Sequence, residues 1–151
     1  MEPLSVIAAV AGLITAGAKI STILYEFTSS MEDAPRLARD VLTELNALTV
    51  ALGHVQTYVL GAAQASPART SLILLEHVLV TLTGCVTTYS DLEVVLKGLN
   101  MSSSLRVYDK FRWTIREKSI SGILQRLQMH KSSLTLMLSI LRWQSYYGFE
   151  T

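Results

Sequence analysis

Three histidines, one cysteine and 12 carboxylates are the groups in this chain that could do chemistry, and their spacing decides whether they do. His54, His77 and His130 fall in different segments, with no His-x-x-x-His pair and no cysteine beside them. A metal-holding helical bundle needs acidic and histidine ligands turned to one interior. Glu76 and His77 are adjacent, so on a helix their side chains diverge by about 100°. Cys85 lies among Thr83, Gly84 and Val86 with no base nearby to ionise it, so it reads as a small buried hydrophobe. No Gly-x-x-x-x-Gly-Lys or Gly-x-Gly-x-x-Gly loop is encoded. The expectation is a protein with no catalytic residue, no cofactor and no metal: not an enzyme.

The elements around these groups follow from composition. With 151 residues, half of them hydrophobic and 17% charged, the chain suits one domain around one core and excludes an extended disordered chain. A single cysteine excludes an internal disulfide framework and suits a reducing compartment. A net charge of +1 argues against a nucleic-acid partner. That balance hides an asymmetry: residues 1–100 carry 5 Lys/Arg against 9 Asp/Glu, whereas residues 101–151 carry 8 against 3. A basic C-terminal third points to an anionic partner.

Pro3, Pro35 and Pro67 each stand where a helix can begin, with Asp33 and Ser66 as N-caps of the second and third. Segment one covers residues 3–28. Segment two, 35–61, repeats Leu37, Val41, Leu45, Leu48, Leu52, Val55 and Val59 at three- and four-residue steps, a seam for another helix. Segment three, 67–99, repeats Leu72, Leu75, Leu79, Leu82, Val86 and Tyr89 and ends near Gly98 and Asn100. After a polar link at 101–104 come a short basic segment, 105–118, and a longer one, 119–143, with Ile120, Leu124, Leu127, Leu134, Leu138 and Leu141. No strand alternation is visible. The fold class expected is all-α: four long helices and one short one with up-down connections. The domain divides into an N-terminal helix at 1–28, a bundle at 29–143 and a tail at 144–151.

Residues 3–18 carry no charge. A secretory signal would want basic residues where this chain has Glu2. Sixteen residues rise only about 24 Å, short of the ~30 Å of hydrocarbon that a permanent span needs. Two readings fit equally: a core helix with small contact residues, or a helix that is buried at rest against segments two, three and five and can be released. Ala8, Gly12 and Ala16 recur every fourth position, with Gly17 beside them. In lipid such a stripe lets helix backbones meet closely.

Met1-Glu-Pro-Leu-Ser-Val6 before an Ala/Gly-rich apolar helix resembles the opening of the HeLo-like N-terminal domains of fungal NOD-like receptors (STAND proteins). Further words in the same order are Met31-Glu-Asp-Ala-Pro35, Arg69-Thr-Ser-Leu-Ile73 and Val80-Thr-Leu-Thr-Gly-Cys85 with Tyr89-Ser-Asp-Leu-Glu93. The last are Leu124-Gln-Arg-Leu-Gln128 and Lys131-Ser-Ser-Leu-Thr-Leu-Met-Leu138. The resemblance runs from Met1 to about Trp143. It departs at Gly84, where such families often carry an acidic residue.

What the resemblance implies is a cell-death execution domain, similar in architecture to the HeLo toxin domain and to the four-helix killer domain of the mixed-lineage kinase-like pseudokinase. The implied mechanism is induced homo-oligomerisation, then membrane targeting and disruption by the first helix. The domain would be cytoplasmic at rest and at the plasma membrane when activated. A downstream nucleotide-binding receptor domain or a separate receptor would trigger it. Leu4, Val6, Ile7, Val10, Leu13 and Ile14 would enter the acyl boundary, and Ala8, Gly12, Ala16 and Gly17 would form helix contacts. Lys19, Arg106, Lys110, Arg112, Arg116 and Lys118 would meet anionic lipid, each worth about 1 kcal/mol when well placed, with Tyr108 and Trp113 as interfacial anchors. The rival reading is a non-lytic oligomerisation or adaptor module, which would need no lipid.

Overall fold

A computed structural model describes residues 3–29, 34–65, 72–98 and 106–147, with side chains for 5–29, 34–61, 76–97 and 116–143. These residues form four helices and, among the described residues, no strand: α1 Pro3–Ser29, α2 Arg36–Ala65, α3 Leu72–Gly98 and α4 Arg106–Tyr147. The all-α bundle expected from helical periodicity is the fold.

Proline begins α2 as its chemistry allows. The Pro35 carbonyl accepts the Ala38 N–H at 3.1 Å and the Arg39 N–H at 3.4 Å. The Arg39 guanidinium donates to the Ala34 carbonyl at 2.8 Å, satisfying a group just outside the helix. The expected caps Asp33 and Ser66 lie outside the described residues. Along α2 the predicted seam is the core line: Val41, Leu45, Leu48, Leu52, Val55 and Val59 are all buried, with Leu37 packed at the margin.

On α3 the seam is shifted. Val86 is 53% exposed, and the buried line runs through Val78, Leu82, Cys85, Tyr89 and Leu92. This helix is apolar on nearly every face, so periodicity alone does not choose which face turns inward. The second correction concerns the C-terminal third. Residues 105–118 and 119–143 are not a short helix and a long one but one 42-residue helix, about 63 Å long. Ser119, Ser121 and Gly122 are weak helix formers, yet none removes a backbone donor as proline does, so the hydrogen-bond ladder runs through them. The helix also continues into the supposed tail as far as Tyr147.

Side-chain contacts fix the topology. Gly17 meets Thr49 and Tyr89, and Ser21 meets Asn46, so α1 runs antiparallel to α2 and level with α3. Lys131 reaches Glu44 and Tyr58 reaches Leu141, making α2 and α4 parallel neighbours. Arg126 on Asp91 and His130 on Thr88 make α3 and α4 antiparallel neighbours. The helices alternate in direction as expected, but α2 and α3, consecutive in sequence, lie across a diagonal. The other diagonal is α1–α4. The N-terminal helix therefore packs on α2 and α3 and not, as its sequence suggested, on the segment beginning at 119.

Continuity of α4 is directly testable. Ser119 is exposed, so Ser119→Pro removes a ladder bond without touching the core. It should lower the unfolding free energy by about 3 kcal/mol in urea titrations followed by circular dichroism. A loss below about 0.5 kcal/mol would mean that the helix breaks there after all.

Candidate functional site

The uncharged N-terminal stretch winds as a helix whose inner face repeats at four and three: Val6, Val10, Leu13, Gly17, Ile20, Leu24 and Phe27 are buried. Of the six residues expected to enter a membrane, Val6, Val10 and Leu13 are core residues here. Ile7 and Ile14 pack half-buried against that core, and the Leu4 side chain lies outside the described residues. The bundle thus covers this hydrophobic edge in the state described.

The small residues divide. Ala8 and Gly12 face outward, Ala16 is half-buried, and a Cβ added at Gly12 would meet nothing within 4 Å. Gly17, one position off that stripe, is the close contact: a Cβ there would stand 3.2 Å from Thr49 Oγ1 and 3.3 Å from the Tyr89 hydroxyl. Sequence reasoning named both glycines as contacts. The signal separating them was the buried period 13, 17, 20, which passes through Gly17 and misses Gly12.

Polar ties are unevenly distributed. Lys131 Nζ pairs with Glu44 at 2.7 Å and Arg126 with Asp91 at 2.8 Å, both from α4. Tyr58 donates to the Leu141 carbonyl at 3.0 Å. Among the described residues helix α1 has a hydroxyl tie to α2, Ser21 Oγ to Asn46 Oδ1 at 3.0 Å, and a long line of apolar contact with the core. Under it the buried Tyr89 hydroxyl faces Thr49, whose own proton goes to the Leu45 carbonyl.

Of the basic residues, Lys19 and Lys118 are exposed, while the side chains of Arg106, Lys110 and Arg112, with Tyr108 and Trp113, lie outside the described residues. Arg116 has a different employment. Its Nη1 donates to the Val95 carbonyl at 2.9 Å, near the end of α3, where a cation satisfies an orphan carbonyl and complements the helix dipole. No side-chain pattern could reveal a backbone partner.

The groups considered for chemistry stay apart. His54 and His77 are exposed on different helices, and burial pushes the Cys85 thiol up to about 12, far from a thiolate at neutral pH. Among the described residues no three His, Cys, Asp or Glu side chains gather as a metal cage. His130 is structural in a specific way. Its Nε2 lies 2.9 Å from Thr88 Oγ1, and its ring lies against the backbone of Gly84, where a Cβ would stand 2.9 Å from Cε1. The glycine that departs from the resembled pattern is thus the residue that admits the imidazole. Burial, and next the Arg126 charge, lower the pKa of His130.

Two outcomes follow from this contact. Gly84→Ala should lower the melting temperature although alanine is the better helix former by about 1 kcal/mol; in a His130→Ala background the same change should raise it. Acid should also weaken the fold. A histidine kept neutral in the native state binds its proton more readily once unfolded, so stability is full above about pH 6.5 and declines below it. Melting scans between pH 7.5 and 5 should show a smaller decline for His130→Gln than for the parent chain.

No curated protein and no solved structure matches this chain. A family model does match, over residues 1–146, which takes in all of α1, α2 and α3 and α4 to within one residue of its end. That span includes the seat of α1, the paired charges of α4 and the Gly84–His130 contact. The chain belongs to the family described as pigment biosynthesis cluster protein PigL N-terminal.

Proposed function

We propose that this domain is a membrane-targeting effector of the HeLo-like kind, acting by lipid binding and not by catalysis. In this reading it belongs to a fungal STAND receptor system and executes cell death. One observation carries it. The stretch Ser5–Ser29 is long and apolar enough to cross a membrane, yet only 28% of it is buried within the bundle. A helix kept purely for a soluble core would expose a charged outer face. Here the outward positions from 5 to 18 are Ser5, Ala8, Ala11, Gly12, Thr15 and Ala18.

The mechanism follows from how α1 is held. Clustering by a nucleotide-binding domain or another receptor raises the local concentration of domains and favours an oligomer. Release of α1 frees Val6, Val10 and Leu13, with Ile7 and Ile14, for the acyl region. In the oligomer the Ala8, Gly12 and Ala16 stripe brings helices together. Few polar groups need new partners when α1 leaves, because Ser21–Asn46 is exposed and already open to water. The domain is cytoplasmic at rest and acts at the plasma membrane, with anionic lipid favoured by Lys19 and Lys118.

Deleting α1 would strip the core of Val10, Leu13, Ile20 and Leu24, so a point variant is the sharper test. Position 12 is exposed, and a Cβ added there meets nothing within 4 Å in the resting bundle. The chain, fused to an inducible dimeriser, should release dye from phosphatidylcholine/phosphatidylglycerol vesicles, and Gly12→Glu should cut release at least about tenfold with an unchanged melt. Equal release by the variant would overturn the role of α1. No release by the clustered parent would leave the adaptor reading in its place.

A further inference from the structure

The cross-helix contacts set the four helices level with one another, and the levels show how charge is arranged along the bundle. Gly17, Thr49 and Tyr89 meet at the middle level of the bundle; Glu44–Lys131 and Asp91–Arg126 lie close to it, five residues apart along α4. On one side of that level are α1 from residue 19, α2 to 44, α3 from 91 and α4 to 131. Fourteen Lys, Arg, Asp and Glu side chains are described there. On the other side are α1 5–18, α2 45–61, α3 76–90 and α4 132–143, with Glu76 and Arg142 as the only such residues described, besides the histidines His54 and His77. Glu76 and Arg142 are of opposite sign and fall level with each other near the tip, on neighbouring helices.

The outside of the low-charge half mixes hydroxyls, an amide and two histidines with exposed apolar side chains on every helix. Exposed there are Leu60 on α2, Val80 and Val86 on α3, and Leu136 and Ile140 on α4, with alanines and glycine on α1. These side chains point outward all round the bundle. A docked protein covers one face, whereas a surrounding apolar phase meets every face. Six of the exposed hydroxyls fit the same environment: Thr15, Thr57, Thr83, Thr87, Thr135 and Ser139 donate to carbonyls four residues back in their own helix at 2.8–3.3 Å, as Thr22 and Thr43 do in the charged half. Such bonds satisfy the hydroxyl without water. A second helix beside α1, Glu76–Lys97 of α3, is also long and apolar enough to cross a membrane.

We infer that the bilayer is met by the whole low-charge half of the bundle, end-on, with all four helices entering and the Glu44–Lys131 and Asp91–Arg126 pairs marking the headgroup level. This rests on the membrane-targeting reading and extends it from one released helix to a bundle end. From residue 5 to residue 18 of α1 the depth is about 20 Å, deeper than one leaflet of a ~30 Å hydrocarbon layer.

The test is flotation of the purified chain with 3:1 phosphatidylcholine/phosphatidylglycerol vesicles, using exposed positions whose change leaves the core alone. Leu60→Glu, Val80→Glu and Leu136→Glu, one on each helix other than α1, should each weaken vesicle binding at least about tenfold, since charge in hydrocarbon is expensive. Val94→Glu and Met129→Glu, equally exposed in the charged half, should stay within about twofold of the parent. Helicity by circular dichroism is checked for all five. If the parent binds and Gly12→Glu abolishes binding while the three low-charge-half variants bind normally, the end-on inference is overturned and the α1 reading survives. If only one of the three loses binding, a one-sided docking face replaces it. If the parent fails to float even when clustered, the membrane reading itself falls.

Discussion

The seat of Gly17 is the contact on which the arrangement depends. Three helices converge there, and the absence of a side chain lets α1 settle against Thr49 of α2 and Tyr89 of α3 at once. That single approach sets the register of α1. It turns Val10, Leu13 and Ile20 inward and leaves Ala8 and Gly12 outward. A larger residue at 17 would push α1 from one neighbour or the other. Everything said of this helix, its covered inner edge and its uncharged outer face, follows from that placement.

The opposite corner is built differently. Helix α4 ties itself to α2 and α3 with ion pairs and with bonds to backbone carbonyls, whereas α1 on the far diagonal relies on shape and apolar contact. Surface ion pairs contribute only about 0–1 kcal/mol each, so the difference is less one of strength than of what separation demands. Parting α4 would leave charges and carbonyls to be re-solvated. Parting α1 would expose mostly hydrocarbon, a loss that another apolar environment can make good.

Much of this was legible in the residues. Helical period and the placement of proline sufficed for the fold class, and the α2 seam was readable because its other faces are polar. The α3 seam was misjudged at Val86, since a helix apolar all round offers no contrast between faces. Residues 105–118 stood apart from 119–143 as a short basic stretch, but basic character does not interrupt a helix, and propensity at Ser119, Ser121 and Gly122 is overridden where neighbouring helices hold the chain. The contacts of Arg116 and His130 were hidden for another reason: Arg116 meets a backbone carbonyl of α3, and His130 fits over the bare backbone of Gly84 to reach the Thr88 hydroxyl. The levelling of charges along the bundle was equally hidden, because it appears only when the helices are set side by side. The family match covers residues 1–146 and so takes in all of these features.

The contact between Gly84 and His130 has a consequence for how such a chain can vary. The imidazole occupies the space where any side chain at 84 would begin, and its Nε2 is engaged by Thr88 one turn further on. Positions 84 and 130 therefore form one choice made at two places: a histidine at 130 demands glycine at 84, and an acidic residue at 84 demands something smaller across from it. Where both changes are needed together, each alone is a step through a less stable fold, so the pair should pass unchanged through long descent or switch as a unit.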